Sequence, residues 1–368
     1  MNMKKQNLNN AIKTLVSIHN AMPSMDRATL FGIMDSIEQP AVLALKLRGA
    51  ADQLAIAKQI HRDHLLREIE NVKLALVDYE QAADTKFRVS KLVREYLKSY
   101  DKLSATPVDG SGTYPYYFRK LAEWISSGMG GKLPFTVFKV DGNSKLPFVA
   151  FSSLPFADCP GKGECQKWCY SLKAWRYPAA FCRQVQNSLL VRFGFDTIAK
   201  EFARIESGKT VRLYVDGDFP SVEILRGWMD LIKTRPDLVC YGYSKSWLEF
   251  VQLAGTGYTY PENYAVNMSS GSRYWKTGIE NAMRQLDVVR GDFSAVVVDR
   301  HYILVGAYKD KKHPESAAYR KQVSEKLKAF ADRTFPCPGN CGNCLPNGRH
   351  ACGDPAMKGV TIGIGIHS

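Results

Sequence analysis

Seven of the nine cysteines in this chain fall into two sets, at positions 159, 165 and 169 and at positions 337, 341, 344 and 352. The first set lies in CPGKGECQKWCY, a C-x5-C-x3-C spacing with Trp168 directly before the last thiol. Thiolates are soft, charged ligands, and three within eleven residues repel one another unless a cation holds them. That pattern points to zinc or an iron–sulfur cluster. A structural zinc site closes with a fourth ligand, and the next thiol, Cys182, comes thirteen residues later in an expected helix. Either Cys159, Cys165 and Cys169 leave one metal corner open for a substrate or cofactor, or Cys182 fills it and the site is structural.

The second set, CPGNCGNCLPNGRHAC, supplies four thiols, Cys337, Cys341, Cys344 and Cys352, which make a complete ligand set. Its Pro338, Gly339, Gly342 and Gly348 permit the tight turns that ligation demands. A second 4Fe–4S cluster and a zinc knuckle serving stability or nucleic-acid contact both fit this spacing.

Other residues admit chemistry less directly. Asp216 and Asp218 flank Gly217 after an expected strand and read as a metal-binding carboxylate pair or as a plain turn. Tyr241 and Tyr243 near Lys245 have the composition of a tyrosine nucleophile, but their alternation is that of strand packing. Residues 269–272, with Ser269 and Ser270, resemble a small-residue loop for a phosphate or ribose. His301 and His313 show no ligand spacing and read as surface or packing residues.

The elements that must position these groups follow from periodicity. Residues 1–104 contain very little glycine and carry helical spacing, first through Leu65, Ile69, Val72, Leu74, Leu76 and Val77, then through Val93, Tyr96, Leu97 and Tyr100. The expected N-terminal helical module packs on the rest of the chain, pairs with a second copy to give a homo-oligomer, or serves as a DNA-binding arm. SATPVDGSGTYPYY, rich in turn formers, marks a boundary.

Beyond it, FRKLAEWISSG reads as a helix and FTVFKV and LPFVAFS as strands leading into the first cysteine loop. Helices near 178–206 and 276–288 then alternate with the strands VRLYVDGDF, LVCYGYSKS, YAVNMSS and SAVVVDR, with HYILVGAY expected as a hairpin partner. In SVEILRGWMDLIKT, Ser221 is placed to cap a helix whose buried stripe is Ile224, Leu225, Trp228, Leu231 and Ile232. Apolar strands alternating with amphipathic helices specify an α/β fold with a mainly parallel sheet, in the manner of a partial or full barrel. Ligands in such folds bind at the carboxyl ends of strands, where the first cysteine loop and the Asp216, Lys245 and Ser269 segments all fall. The expected organisation is a helical module over 1–110, a barrel-like domain over 111–330 and a cysteine-rich segment over 331–368 packed on the barrel.

Composition sets the outer bounds. A chain of 368 residues with 45% hydrophobic content can bury a large core. No run approaches the roughly 18 apolar residues a membrane helix needs, and the first residues lack signal-peptide character, so the expected location is the cytoplasm, where thiols stay reduced. The net charge of +14 suits a polyanionic partner such as nucleic acid, but Lys and Arg are spread along the chain.

A strand followed by a three-cysteine loop with Trp168 before the third thiol, and then a strand ending in Gly217-Asp218, resembles the radical S-adenosylmethionine (radical SAM) enzymes. The resemblance implies a 4Fe–4S cluster on Cys159, Cys165 and Cys169, with S-adenosylmethionine on its fourth iron. It also implies Trp168 near the adenine and Gly217-Asp218 at the amino group of that cofactor. The second set has the C-x3-C-x2-C core usual in that superfamily, but only 24 residues follow Cys344, too few for a barrel, which makes it a separate site. CPGxGxCxxxCY, then DGDF, then YSKS, then a late cysteine cluster, over roughly residues 145–352, is similar to a family of proteins from phages and other mobile elements. The alternative that these residues leave open is a zinc-stabilised nucleic-acid-binding or replication protein of a mobile element.

Overall fold

The computed structural model describes residues 27–82, 114–140, 147–309, 312–339, 341, 344–345 and 350–366. The expected stripe at Val93, Tyr96, Leu97 and Tyr100 and most of the boundary segment at 104–115 lie outside the described residues. Two compact units divide the chain, Met1–Pro134 and Phe135–Ser368.

In the first unit, α1 (Arg27–Met34) precedes a 43-residue helix, α2 (Pro40–Ala82), which opens on a proline whose missing N–H is no loss in a first turn. Helix α3 (Tyr114–Ser126) buries Phe118, Leu121, Ala122 and Ile125, one helical face, and packs against α2, which buries Leu43 and Leu47. The sequence places α3 at the start of the barrel domain; here it belongs to the helical unit. Farther along α2, Leu65 and Ile69 are buried, while Leu74 is exposed. Among the described residues no helix is long and apolar enough to cross a membrane.

The second unit is built on seven strands: β1 (Val149–Ala150), β2 (Thr210–Leu213), β3 (Val239–Ser244), β4 (Tyr264–Ser269), β5 (Val289–Val296), β6 (Thr334–Pro336) and β7 (Thr361–Gly365). All pairings are parallel, in the order β1-β2-β3-β4-β5-β7-β6. The edge strands β1 and β6 do not pair with each other among the described residues, so the sheet is an open run and not a full barrel. Connections run through α4 (Pro178–Phe193), α5 (Phe195–Ala203), α6 (Val222–Lys233), α7 (Trp247–Gly255), α8 (Gly278–Arg284), α9 (Arg300–Leu304) and α10 (Ser316–Lys328).

Alternation along the strands separates two faces. On β2, Val211 and Leu213 are fully buried, and α6 buries Leu225, Trp228, Met229 and Ile232. Ser221 caps α6, its Oγ accepting from Ile224 N at 3.3 Å. Met229 joins the expected stripe, while Ile224 and Leu231 are only half-buried. Trp228 has its ring 4.8 Å from that of Phe151 and 5.5 Å from that of Phe195, and its indole N–H donates to Tyr214 at 3.0 Å. Each such large, fully buried side chain contributes about 1.5–3 kcal/mol.

The opposite face carries Arg212, Tyr241, Tyr243 and Phe293 and is partly covered by the C-terminal segment, where Ala351 and Cys352 pack on Tyr241 and Ile362. Arg290, nearly fully buried, clamps that segment. Its guanidinium donates to Met357 O at 2.7 Å, to Val360 O at 2.9 Å and to Asp292 O at 3.0 Å, and its Nε to Asn267 Oδ1. Asn267 in turn donates to Cys352 O at 2.9 Å.

Three local expectations are corrected. FTVFKV forms no strand, only a bridge from Lys139 to Ala150, because side-chain amides of α4 occupy its backbone: Phe135 N donates to Gln186 Oε1, and Phe135 O and Val137 O accept from Gln186 and Asn187. The helix near 178–206 breaks at Gly194 into α4 and α5. HYILVGAY does not return as a hairpin; its first residues form α9, started by Asp299, whose carboxylate accepts from His301 N at 2.8 Å.

Candidate metal centre

The first cysteine loop leaves β1 and is fixed before it begins. Asp158, fully buried, is ion-paired with Arg192 of α4 and accepts from Ser188 Oγ, while Ser188 Oγ accepts from Leu154 N at 2.8 Å. The loop then docks between the loops that follow β3 and β4. Gly161 O accepts from Arg273 N at 3.0 Å, Cys165 N donates to Gly271 O at 3.3 Å, and Lys162 bridges to Ser272. These approaches explain the glycines of the motif. A Cβ on Gly161 would lie 1.7 Å from Lys245 O, and one on Gly163 would lie 2.6 Å from Arg273 N. Gly271, at φ +78°, faces the Cβ of Cys165 and the ring of Trp168 with equally little room.

Asp218 holds the strand-end loops together. Its buried carboxylate accepts from Phe219 N at 2.9 Å, Ser244 Oγ at 2.8 Å and Lys245 N at 2.6 Å. Burial pushes its pKa up, and these donors pull it back. Gly217 adopts φ +79° with its α-carbon against Ser153. Lys245 Nζ donates to Ser269 Oγ at 2.8 Å, and Ser270 Oγ accepts from Ala295 N at 2.9 Å. Asp216 is held apart from Asp218, accepting from Gln184 at 3.0 Å.

All seven clustered cysteines face one cavity of about 400 Å³, together with Trp168, Gly217, Asp218, Ser269 and Ser270. Two sets far apart in sequence thus share a chamber over the carboxyl ends of the strands. All nine cysteines are free thiols. Among the described residues no group of three or more His, Cys, Asp or Glu side chains closes into a metal-binding arrangement. The donors nonetheless suit a thiophilic centre. Cys165 lies close enough to Cys169 to interact electrostatically, as do Cys337 and Cys341 with Cys352, and Ala351 N donates to Cys344 Sγ at 3.1 Å. Burial, first, and then Asp218 push the Cys159 thiol well up; burial, first, and then Cys337 push Cys352 up to about 12. A thiol held up in this way would have to give up its proton to bind a metal.

Cys182 and Cys240 are buried, and neither lines the cavity. Tyr241 and Tyr243 pack as strand residues, with Tyr243 4.4 Å from Phe293. His301 is an exposed partner of Glu315 at 2.6 Å. Arg212 and His350, which the sequence reading passes over, both line the cavity. The signal for Arg212 is a cation at the inward position of an otherwise apolar strand, VRLYV.

Glu249, in the first turn of α7, is buried with Oε2 lacking a hydrogen-bond partner. Burial, reinforced by Asp218, pushes its carboxyl up to about 7 against the pull of Arg273 and its own amide. Its folded pKa is raised above the unfolded value, so stability from this group is full at low pH and falls as pH rises towards about 7. Glu249→Gln is expected to raise the urea midpoint at pH 8 and leave it unchanged at pH 4; equal midpoints at pH 8 would contradict this.

A family model described as Gene product 88 matches residues 124–353, a span that holds both cysteine sets. No curated protein and no solved structure matches the chain.

Proposed function

We propose that this chain, which belongs to the Gene product 88 family, is an iron–sulfur enzyme of the radical SAM type, in keeping with the phage and mobile-element proteins its motifs resemble. Cys159, Cys165 and Cys169 would hold the catalytic 4Fe–4S cluster, and Cys337, Cys341, Cys344 and Cys352 a second one. The observation that carries this reading is a three-thiol loop leaving the first strand of an open parallel sheet and facing a cavity whose walls also bear the four-thiol set.

A cluster held by Cys159, Cys165 and Cys169 would supply the one-electron chemistry towards S-adenosylmethionine, the radical chemistry being the cofactors' own. The chain's own residues orient and enclose. Asp218 fixes the β2 and β3 loops, Lys245 and Ser269 bridge β3 to β4, and Gly161, Gly163 and Gly271 let the cysteine loop sit flush on them. Asp218, which accepts three internal hydrogen bonds, serves as an organiser of the rim, and Asp216 is equally committed, bonded by Ser152, Ser171 and Gln184. Trp168 forms wall beside Gly271.

Reduction of the anaerobically purified protein with dithionite in the presence of S-adenosylmethionine should release 5′-deoxyadenosine and methionine. A protein that holds iron and sulfide but yields neither product contradicts the radical SAM assignment.

A further inference from the structure

Arg212 projects from the middle of β2 into the cavity. Its guanidinium lies over the ring of Tyr243, 4.4 Å from the centroid, and its Nε is buried without a hydrogen-bond partner. No ion pair reaches it among the described residues; Asp216, which accepts instead from Ser152, Ser171 and Gln184, and Cys341 act on it only at longer range. Arg290, on the same sheet, shows what a structural buried arginine looks like, its nitrogens donating to four oxygens. Beside Arg212, Tyr241 is fully buried and its hydroxyl has no partner, though it lines the same cavity. The surrounding wall is apolar, with Phe293, Phe335 and Ile362.

An unpaired guanidinium in such a wall is costly to the fold unless something else supplies the counter-charge. Apolar chambers with a few convergent polar groups are what small-molecule sites are made of. We infer that Arg212 and Tyr241 form an oxyanion-binding subsite of this cavity, taking the carboxylate or phosphate monoester of a small substrate whose apolar body lies against Tyr243 and Phe293. The planar guanidinium matches either oxyanion with two parallel N–H groups, and the tyrosine O–H adds a third donor. This deepens the enzyme reading by naming its substrate class and rests on that reading only for the word substrate.

The test is calorimetric titration and thermal melting of the full-length, anaerobically purified protein with benzoate, phenyl phosphate and neutral benzamide. One charged probe is expected to bind saturably and raise the melting temperature, which tells carboxylate from phosphate, while benzamide does neither. Arg212→Met should weaken that binding at least about tenfold, and it should leave the probe-free melting temperature unchanged or higher, since an unpaired interior charge is gone. Tyr241→Phe, which keeps the ring, should weaken it about threefold to tenfold. Equal binding of benzamide, binding indifferent to Arg212→Met, or a sharp fall in the probe-free melting temperature of Arg212→Met would each overturn the subsite. Iron measured on the same samples separates the two readings. Anion binding without iron sinks the radical assignment alone, and iron without anion binding sinks the subsite alone.

Discussion

Under the proposed function, replacing Cys165 with alanine is expected to remove one metal centre and spare the other: roughly half of the iron and sulfide should be lost, while the share assigned to Cys337, Cys341, Cys344 and Cys352 should stay. The expectation follows from geometry. Cys165 approaches the β4 loop through the hydrogen bond its N–H donates to Gly271 O, whereas the C-terminal segment that carries the second set is anchored separately, by Asn267 of β4 and Arg290 of β5. Loss of 5′-deoxyadenosine formation should accompany the iron loss. Unchanged iron content in Cys165→Ala would show that the first set is not a ligand set.

Gly161→Ala should be nearly as damaging without touching a thiol. The added methyl would sit 1.7 Å from Lys245 O and 2.9 Å from Ser246 N, both backbone atoms with no flexible side chain to give way. The loop must lift off the β3 rim, at a cost of about 3 kcal/mol or more in unfolding free energy, and the first centre should lose its metal. Gly49→Ala in α2 is the matched control. Nothing lies within 4 Å of its Cβ position, and it should be neutral or stabilising by about 0.5–1 kcal/mol. Urea midpoints and iron content of the two variants check both statements; a Gly161→Ala protein with parental stability and iron would mean that the loop does not dock as described.

Much of the second unit is legible because its signals are local. VRLYV, LVCYGY and YAVNMS are apolar strands between amphipathic helices, and Ser221 announces the start of α6 through the Oγ bond it makes. FTVFKV misleads because its backbone partners are Gln186 and Asn187, fifty residues away on a helix, and a strand pattern says nothing about who satisfies its amides. HYILVGAY misleads because the cap at Asp299 outweighs β-branched content over five residues.

The same limit applies to the site. Cysteine type and spacing pick out the two sets of thiols that line the cavity, and the rule of strand carboxyl ends puts the first loop on a rim with Asp218, Lys245 and Ser269. That both sets face one cavity depends on β7 inserting between β5 and β6, a pairing no local pattern encodes. The role of Asp218 as a receiver of three internal hydrogen bonds, and the isolation of Arg212, are likewise properties of packing. The glycines of CPGKG are the intermediate case: their presence is plain in the sequence, and their reason is the backbone of Lys245 and Arg273.

The most direct measurement of the central claim is iron, acid-labile sulfide and zinc per chain after purification without oxygen. Two 4Fe–4S clusters predict a brown protein with about eight iron and about eight sulfide per chain and little zinc. A colourless protein carrying zinc and no iron would contradict the account and leave the thiols as the structural ligands of a basic, zinc-stabilised protein.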